Sequence, residues 1–200
     1  MSLSIVLAAT KGGCGKTTLT ACLAVHAAAE GAKVAMLDLD PQGSLTRWWH
    51  LRGQPDNPAL VPSVESPGAW DYVLVDTPPG DPDTVEDAIG AVDFAVLPTR
   101  VSALDVLAVE PTVAACRAAA RPFGFVLAAY DPQWKLSASA AEYLREDGPV
   151  LSPPIQYRAA YASAMTLGRT GPESQDRRAA KLCKEEIAAL WRSILEAARG

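Results

Sequence analysis

The sequence predicts an α/β protein, a doubly wound and mostly parallel sheet of about six to seven strands with helices on both faces. Three observations lead there. Short apolar runs rich in β-branched residues recur along the chain. Segments of helical periodicity separate most of them. The runs are continuous rather than alternating, as strands covered on both faces should be.

Each element has its own local reason. LSIVLAA (3–9) is a short apolar run and reads as a buried first strand. A glycine-rich turn follows, then a helix over 16–30, with Leu19, Leu23 and Ala27 at helical spacing and Gly31 at its end. KVAMLDLD (33–40) is a second strand. Residues 52–68 are rich in proline and polar side chains and read as a loop, with a brief edge strand at 59–64. YVLVD (72–76), FAVLP (94–98) and FGFVLAA (123–129) are three more strands, and helices are expected over 83–91, 103–120 and 136–146. The last element, 174–198, places Cys183, Ile187, Leu190, Trp191 and Ile194 on one face at helical spacing. Arg177, Lys181, Lys184 and Arg192 cluster on a neighbouring face. No repeat or boundary stands out, so residues 1–200 are expected to form one domain.

Composition narrows the class. The chain is 49% hydrophobic and 20% charged, ordinary for a soluble globular protein. No apolar run approaches the ~20 residues of a membrane span, and the N-terminus lacks the cationic and apolar sequence of a secretory signal. Cys14, Cys22, Cys116 and Cys183 are scattered without a CxxC pair, which suits reduced thiols in the cytoplasm. His26 and His50 are isolated and read as structural rather than metal-binding. The net charge of −5 is uneven: residues 1–144 carry 9 basic and 16 acidic side chains, residues 145–200 carry 9 and 7. The basic late segment is a solvated surface or a face for an anionic partner.

The chemistry starts at KGGCGKT (11–17), between the first strand and the first helix. The general phosphate-loop pattern is G-x-x-x-x-G-K-[ST], and Thr10 stands where its first glycine would be. The physics survives that departure. Gly12, Gly13 and Gly15 allow successive N–H groups, with that of Cys14, to turn inward on phosphate oxygens. The following helix presents its positive end to the same anion. Lys16 would reach the β- and γ-phosphates, Thr17 would ligate Mg²⁺, and Thr18 would donate to the α-phosphate. Asp38 and Asp40 end the second strand, at the sheet edge where open α/β folds bind ligands. Asp76 ends a buried apolar strand, where a bare carboxylate is costly without a cation. Gly80 lies in the loop that follows.

These stretches resemble the ParA and MinD family of variant Walker-A ATPases, whose signature is K-G-G-x-G-K-[ST]. The resemblance runs from about residue 3 to 195 and is tightest in the first 80. It also covers DLDPQ (38–42), DTPPG (76–80), PTRVS (98–102) and PIQYRAAYASA (154–164). Spacing alone shows only a second cation, Lys11, beside the loop. The resemblance implies that Lys11 crosses an ATP-sandwich homodimer to the partner subunit's phosphates. It implies that Asp40 positions the attacking water, that Asp38 supports the Mg²⁺ shell, and that Asp76 holds Mg²⁺ through a water. It implies that the Gly80 N–H senses the γ-phosphate. One departure matters: Ala128 and Ala129 stand where relatives often carry an adenine-reading Asn. Base recognition is therefore expected from the loop at 153–157.

Among branches of the family, the small ParA or ParF type fits best. The missing CxxC and C-terminal tyrosine cluster set aside the iron–sulfur carriers and the bacterial tyrosine kinases. The resemblance then implies a weak Mg²⁺-dependent ATPase that is cytoplasmic and nucleoid-associated. Its ATP dimer would bind non-specific DNA, and a ParB-like partner would stimulate hydrolysis to position cargo. The DNA candidates are Arg158, Arg169, Arg177, Arg178, Lys181 and Lys184. The alternatives are a MinD-like ATPase whose last helix binds membrane, and a small-molecule ligase on the same scaffold.

Overall fold

The computed structural model describes residues 2–63 and 69–200. Seven parallel strands form one sheet: β1 (Leu3–Leu7), β2 (Val34–Asp38), β3 (Ala59–Leu60), β4 (Tyr72–Asp76), β5 (Phe94–Arg100), β6 (Phe123–Tyr130) and β7 (Ile155–Gln156). Their order is β3-β2-β4-β1-β5-β6-β7. β1 sits in the middle, in register with β4 from Leu3 against Tyr72 to Leu7 against Asp76. It pairs with β5 on its other side. This is the doubly wound parallel sheet that the apolar runs predict. The chain leaves β1 towards one edge and later builds β5, β6 and β7 towards the other, and such a reversal opens a crevice at the strand ends.

The helices are α1 (Lys16–Ala29), α2 (Ser44–Leu51), α3 (Pro82–Gly90), α4 (Ala103–Leu107), α5 (Glu110–Ala118), α6 (Lys135–Asp147), α7 (Ala159–Met165) and α8 (Arg177–Arg199). Alternation along β1 divides the core. Ile5 and Leu7 face a layer that includes Leu23 of α1, Trp48 of α2, Tyr161 of α7, and Ile187, Leu190 and Ile194 of α8. Val6 and Ala8 face the opposite layer, with Val85 and Ile89 of α3, Cys116 of α5 and Leu144 of α6. Both faces are covered, which is why the strands carry no polar alternation. Tyr72 and Trp191 meet edge to face at 4.8 Å, fixing α8 to the sheet. The four thiols are free and buried.

Two expected boundaries change. The helix expected over 103–120 is two helices, α4 and α5. Pro111 explains the break: it has no N–H to donate back one turn, and it is placed instead in the first turn of α5. The edge strand expected at 59–64 is Ala59–Leu60, paired to β2, while residue 64 lies outside the described residues. Helix α8 starts at Arg177 because Asp176 caps it, accepting from the N–H of Arg178 (2.9 Å) and Ala179 (3.1 Å). Helices α2 and α7 and strand β7 are additional to the elements the sequence analysis assigns.

Candidate functional site

The glycine-rich turn lies where β1 meets α1, at the crevice edge of the sheet. Gly13 (φ 75°) and Gly15 (φ 94°) take left-handed backbone that L side chains rarely adopt, so glycine is required there. The turn lines a cavity of about 570 Å³ shared with Lys16, Thr17, Thr18, Asp40, Thr77 and Pro79. Lys16 is buried, and its Nζ donates across the loop to the carbonyls of Ala9 (3.0 Å) and Lys11 (3.4 Å). The ammonium is thereby held in the hollow of the loop, where an anion would meet it. The Cys14 thiol donates to the Lys11 carbonyl (3.4 Å), and burial pushes its pKa up despite Lys16 nearby.

Below the loop, Thr17 Oγ1 donates to Asp76 Oδ2 at 2.6 Å. Asp76 is fully buried, and its Oδ1 has no hydrogen-bond partner. Burial raises its pKa to about 7 against the Thr17 bond, with Asp38 and Asp40 adding to the rise and Lys16 opposing it. An orphaned buried carboxylate oxygen beside a hydroxyl suits a divalent cation. Among the described residues no cluster of three or more His, Cys, Asp or Glu side chains forms a metal cage. A Mg²⁺ ion would ask no more of the protein than this Asp–Thr pair, since it takes few carboxylates and keeps waters and phosphate oxygens as its other ligands.

Asp38 and Asp40 divide their duties. Asp38 Oδ2 accepts from the backbone N–H (2.8 Å) and Oγ1 (2.7 Å) of Thr46, and its Oδ1 accepts from the Asp40 N–H (3.2 Å). It ties the strand end to α2. Asp40 lines the cavity, and its carboxylate accepts from the Gln42 N–H at 2.8 Å. Gly80 (φ 69°) donates its N–H to the Thr10 carbonyl at 2.8 Å. In this state that N–H is committed to the phosphate loop itself, so sensing a γ-phosphate requires the bond to open.

Lys11 stands apart from the cavity. Its ammonium is half exposed and paired with Asp105 of α4. Burial pulls the Asp105 pKa up, but the bonds from Lys11 and Ser102 outweigh it and hold the carboxyl below its usual range. The second lysine is thus held by its own chain. A smaller cavity of about 200 Å³ joins Gly13 and Thr18 to Ala128, Ala129, Gln156 and Tyr157. The loop expected to read the base therefore lies beside the phosphate loop.

The six basic candidates separate. Arg158 bonds Glu186 Oε1 through Nε (3.1 Å) and Nη2 (2.7 Å), and Gln156 at 2.9 Å, while Tyr161 donates to Glu186 Oε2 (2.9 Å). Its guanidinium is committed to an internal network, which corrects the reading of Arg158 as an available surface cation. Arg169, Arg177, Arg178, Lys181 and Lys184 are exposed, with Lys181 loosely paired to Glu185 at 3.9 Å.

Sequence reasoning missed the wall that α2 supplies. Arg47 lines the large cavity, Trp48 Nε1 donates to the Arg169 carbonyl (3.0 Å), and Arg52 makes a bidentate pair with Glu173 (2.8 Å each). The signal was present as Leu45, Trp48 and Leu51 at helical spacing after Gly43.

A parallel sheet carrying a glycine turn, a caged lysine and a buried Asp–Thr pair at its crevice defines a P-loop nucleotide-binding protein. The model of the CobQ/CobB/MinD/ParA nucleotide-binding domain matches residues 5–170, and the chain belongs to that family. Protein ParA of Rhizobium radiobacter is 30% identical over 185 residues, 82% of each chain. Maintenance of carboxysome distribution protein A of Gloeobacter kilaueensis is 40% identical over 113 residues, so the match spans about half of each protein, 52% of this chain and 51% of the relative. Among solved structures, apo McdA of Cyanthece shares the fold over 100% of both chains, at a TM-score of 0.79 and 20% identity. Within the family, the chain is ParA-like. No helix among the described residues is long and apolar enough to cross a membrane.

Proposed function

We propose that this chain is an ATPase of DNA partition or cargo positioning, working as one domain that dimerises on ATP. The observation that carries the reading is the division of labour between two lysines: Lys16 caged inside the phosphate loop, Lys11 held outside it by Asp105. One cation serves the chain's own nucleotide. The other is placed at the surface, within reach of a second subunit once released.

The residues then act as follows. Backbone N–H groups of residues 12–15 bind the phosphate chain, and Lys16 exchanges its carbonyl partners for β- and γ-oxygens. Thr17 Oγ1 and Asp76 would hold Mg²⁺, which supplies charge neutralisation at the phosphate oxygens. Asp38, through Thr46 and the Asp40 N–H, keeps the following loop in place. Asp40 orients the attacking water and takes its proton. Lys11 gives up Asp105 to stabilise charge on the partner subunit's nucleotide, the logic of an arginine finger supplied in trans. The base lies against residues 128–129 and 155–157. Arg169, Arg177, Arg178, Lys181 and Lys184 neutralise DNA phosphates without reading sequence. A ParB-like partner stimulates hydrolysis and release, and the protein works in the cytoplasm on the nucleoid.

The burial of Ile187, Leu190, Trp191 and Ile194 in the core favours this reading over a MinD-like one, because the apolar face of α8 is already spent on the sheet. Sedimentation velocity with ADP and with a non-hydrolysable ATP analogue tests the switch. Wild type should dimerise only with the analogue, and Lys11→Ala should stay monomeric while still binding nucleotide. A Lys11→Ala protein that dimerises normally would overturn the proposal.

A further inference from the structure

Strand β5 ends at Arg100, whose side chain is exposed at the edge of the phosphate loop. Its Nη2 lies 3.7 Å from the point where a Cβ on Gly13 would sit. Just beyond, Ser102 caps α4: its Oγ accepts from the Asp105 N–H (3.2 Å) and donates to Asp105 Oδ2. The cap holds Asp105 in the first turn of α4, with its Oδ1 on Lys11. Lys11, Arg100 and Asp105 all border one hollow of about 20 Å³, the room of a single water. Two cations thus stand beside one carboxylate. Among the described residues the Arg100 guanidinium makes no hydrogen bond or ion pair.

The side chain of Asp105 is 13% exposed and that of Lys11 47%. A carboxylate so far from water becomes costly once its bonded cation departs. The crossing of Lys11 to a second subunit would create that situation, and Arg100 is placed to relieve it. Burial lifts the Asp105 carboxyl, while Lys11, Ser102 and Arg100 together hold it below its usual range. The guanidinium is exposed and unbonded, so it is free to turn, and its planar fork suits a carboxylate. We propose that Arg100 is a positioning residue for Lys11: it takes over the Asp105 carboxylate as Lys11 leaves, and so eases formation of the ATP dimer. This role rests on the reading of Lys11 given above.

Arg100 also borders the cavity of about 200 Å³ beside Gln156 and Tyr157, so a bond to the chain's own nucleotide is the rival role. Among the described residues lining these two cavities, Asp105 is the one acid, which favours the first role. The two roles differ in what they require. A nucleotide contact acts in the monomer and does not involve Asp105. A stand-in for Lys11 acts only as Lys11 leaves, and only while residue 105 carries a charge.

The test uses the full chain with Mg²⁺ and a non-hydrolysable ATP analogue. Sedimentation velocity reads dimer formation, and a fluorescent ADP reads nucleotide affinity. Arg100→Gln should weaken dimerisation ~10-fold, while ADP affinity stays within about twofold of wild type. Arg100→Lys should restore most of the loss, since it keeps a cation. Asp105→Asn keeps an oxygen for the Ser102 hydroxyl but no longer holds Lys11 by charge, so it should dimerise more tightly than wild type. On that background Arg100→Gln should have no further effect, the non-additivity of two groups that meet. Thermal melting checks the fold; if Asp105→Asn melts early, the two variants of exposed Arg100 still decide. An Arg100→Gln protein that dimerises like wild type would overturn the proposal. So would one that loses ADP affinity by the same factor, or that weakens the dimer equally on the Asp105→Asn background. Lys11→Ala is run alongside. A monomeric Lys11→Ala beside an unaffected Arg100→Gln sinks the stand-in role alone. A Lys11→Ala that dimerises normally sinks the switch reading, and the role of Arg100 with it.

Discussion

Replacing Asp76 by asparagine should stabilise the nucleotide-free protein, although it removes a side chain at the centre of the site. Asp76 Oδ1 is buried without a partner, and burial lifts the carboxyl from 3.8 to about 7. Such a group binds its proton more tightly in the folded chain than in the unfolded one. Its contribution is therefore fully present below pH 3.8 and is lost as pH rises through about 7. The gap corresponds to about 4 kcal/mol, at about 1.4 kcal/mol for each tenfold. Asparagine carries no charge, keeps an oxygen for the Thr17 hydroxyl, and removes that loss. Urea denaturation in chelator from about pH 5 to about pH 8 reads the effect. Wild type should lose up to ~3 kcal/mol across the window, the part of the gap that lies above its lower limit, and Asp76→Asn should lose markedly less. Mg²⁺ with nucleotide should flatten the wild-type curve, since a cation beside Oδ1 favours the charged form, and should leave the variant unmoved. A wild-type stability that rises with pH, or a variant less stable than wild type at about pH 8, would refute the account of the orphaned oxygen.

Four further outcomes follow from the same geometry. Asp40→Ala should bind ATP but lose turnover by about 100-fold or more, trapping the dimer in an analogue-free gel-filtration run with ATP. Gly168→Ala should cost about 2–5 kcal/mol in urea denaturation, because its φ is 65° and the new Cβ would sit 2.4 Å from the Arg52 nitrogen and the Leu51 carbonyl carbon. Arg177→Ala and Arg178→Ala should each reduce the salt slope of DNA binding by about 0.9. Arg158→Ala should leave that slope unchanged and destabilise the fold by about 3 kcal/mol or more, because Glu186 would be left buried without its cation.

Most of the sheet was legible because its long strands announce themselves, whereas β7, with two residues, does not. β1, β4, β5 and β6 are apolar runs of five to eight residues whose burial on both faces leaves no alternative to the pattern. Helix α2 was harder to see: it has eight residues, two of them buried, and opens on a glycine cap rather than on a side-chain cap. The join between α4 and α5 was visible in Pro111, yet the apolar spacing ran through it.

The phosphate loop is determined by the sequence alone. Its demands are local: glycines where the backbone turns left-handed, a lysine and a threonine at the first turn of the helix, and an apolar run before them. The aspartates at the ends of β2 and β4 are legible for the same reason. What the side chains meet was decided by the tertiary structure. Lys11 is held by Asp105, Arg158 is spent on Glu186, and Asp76 keeps one oxygen without a partner. Each of these depends on which strands lie side by side and on where the crossovers land their helices. Those distances belong to the packed sheet, and no short stretch of chain contains them.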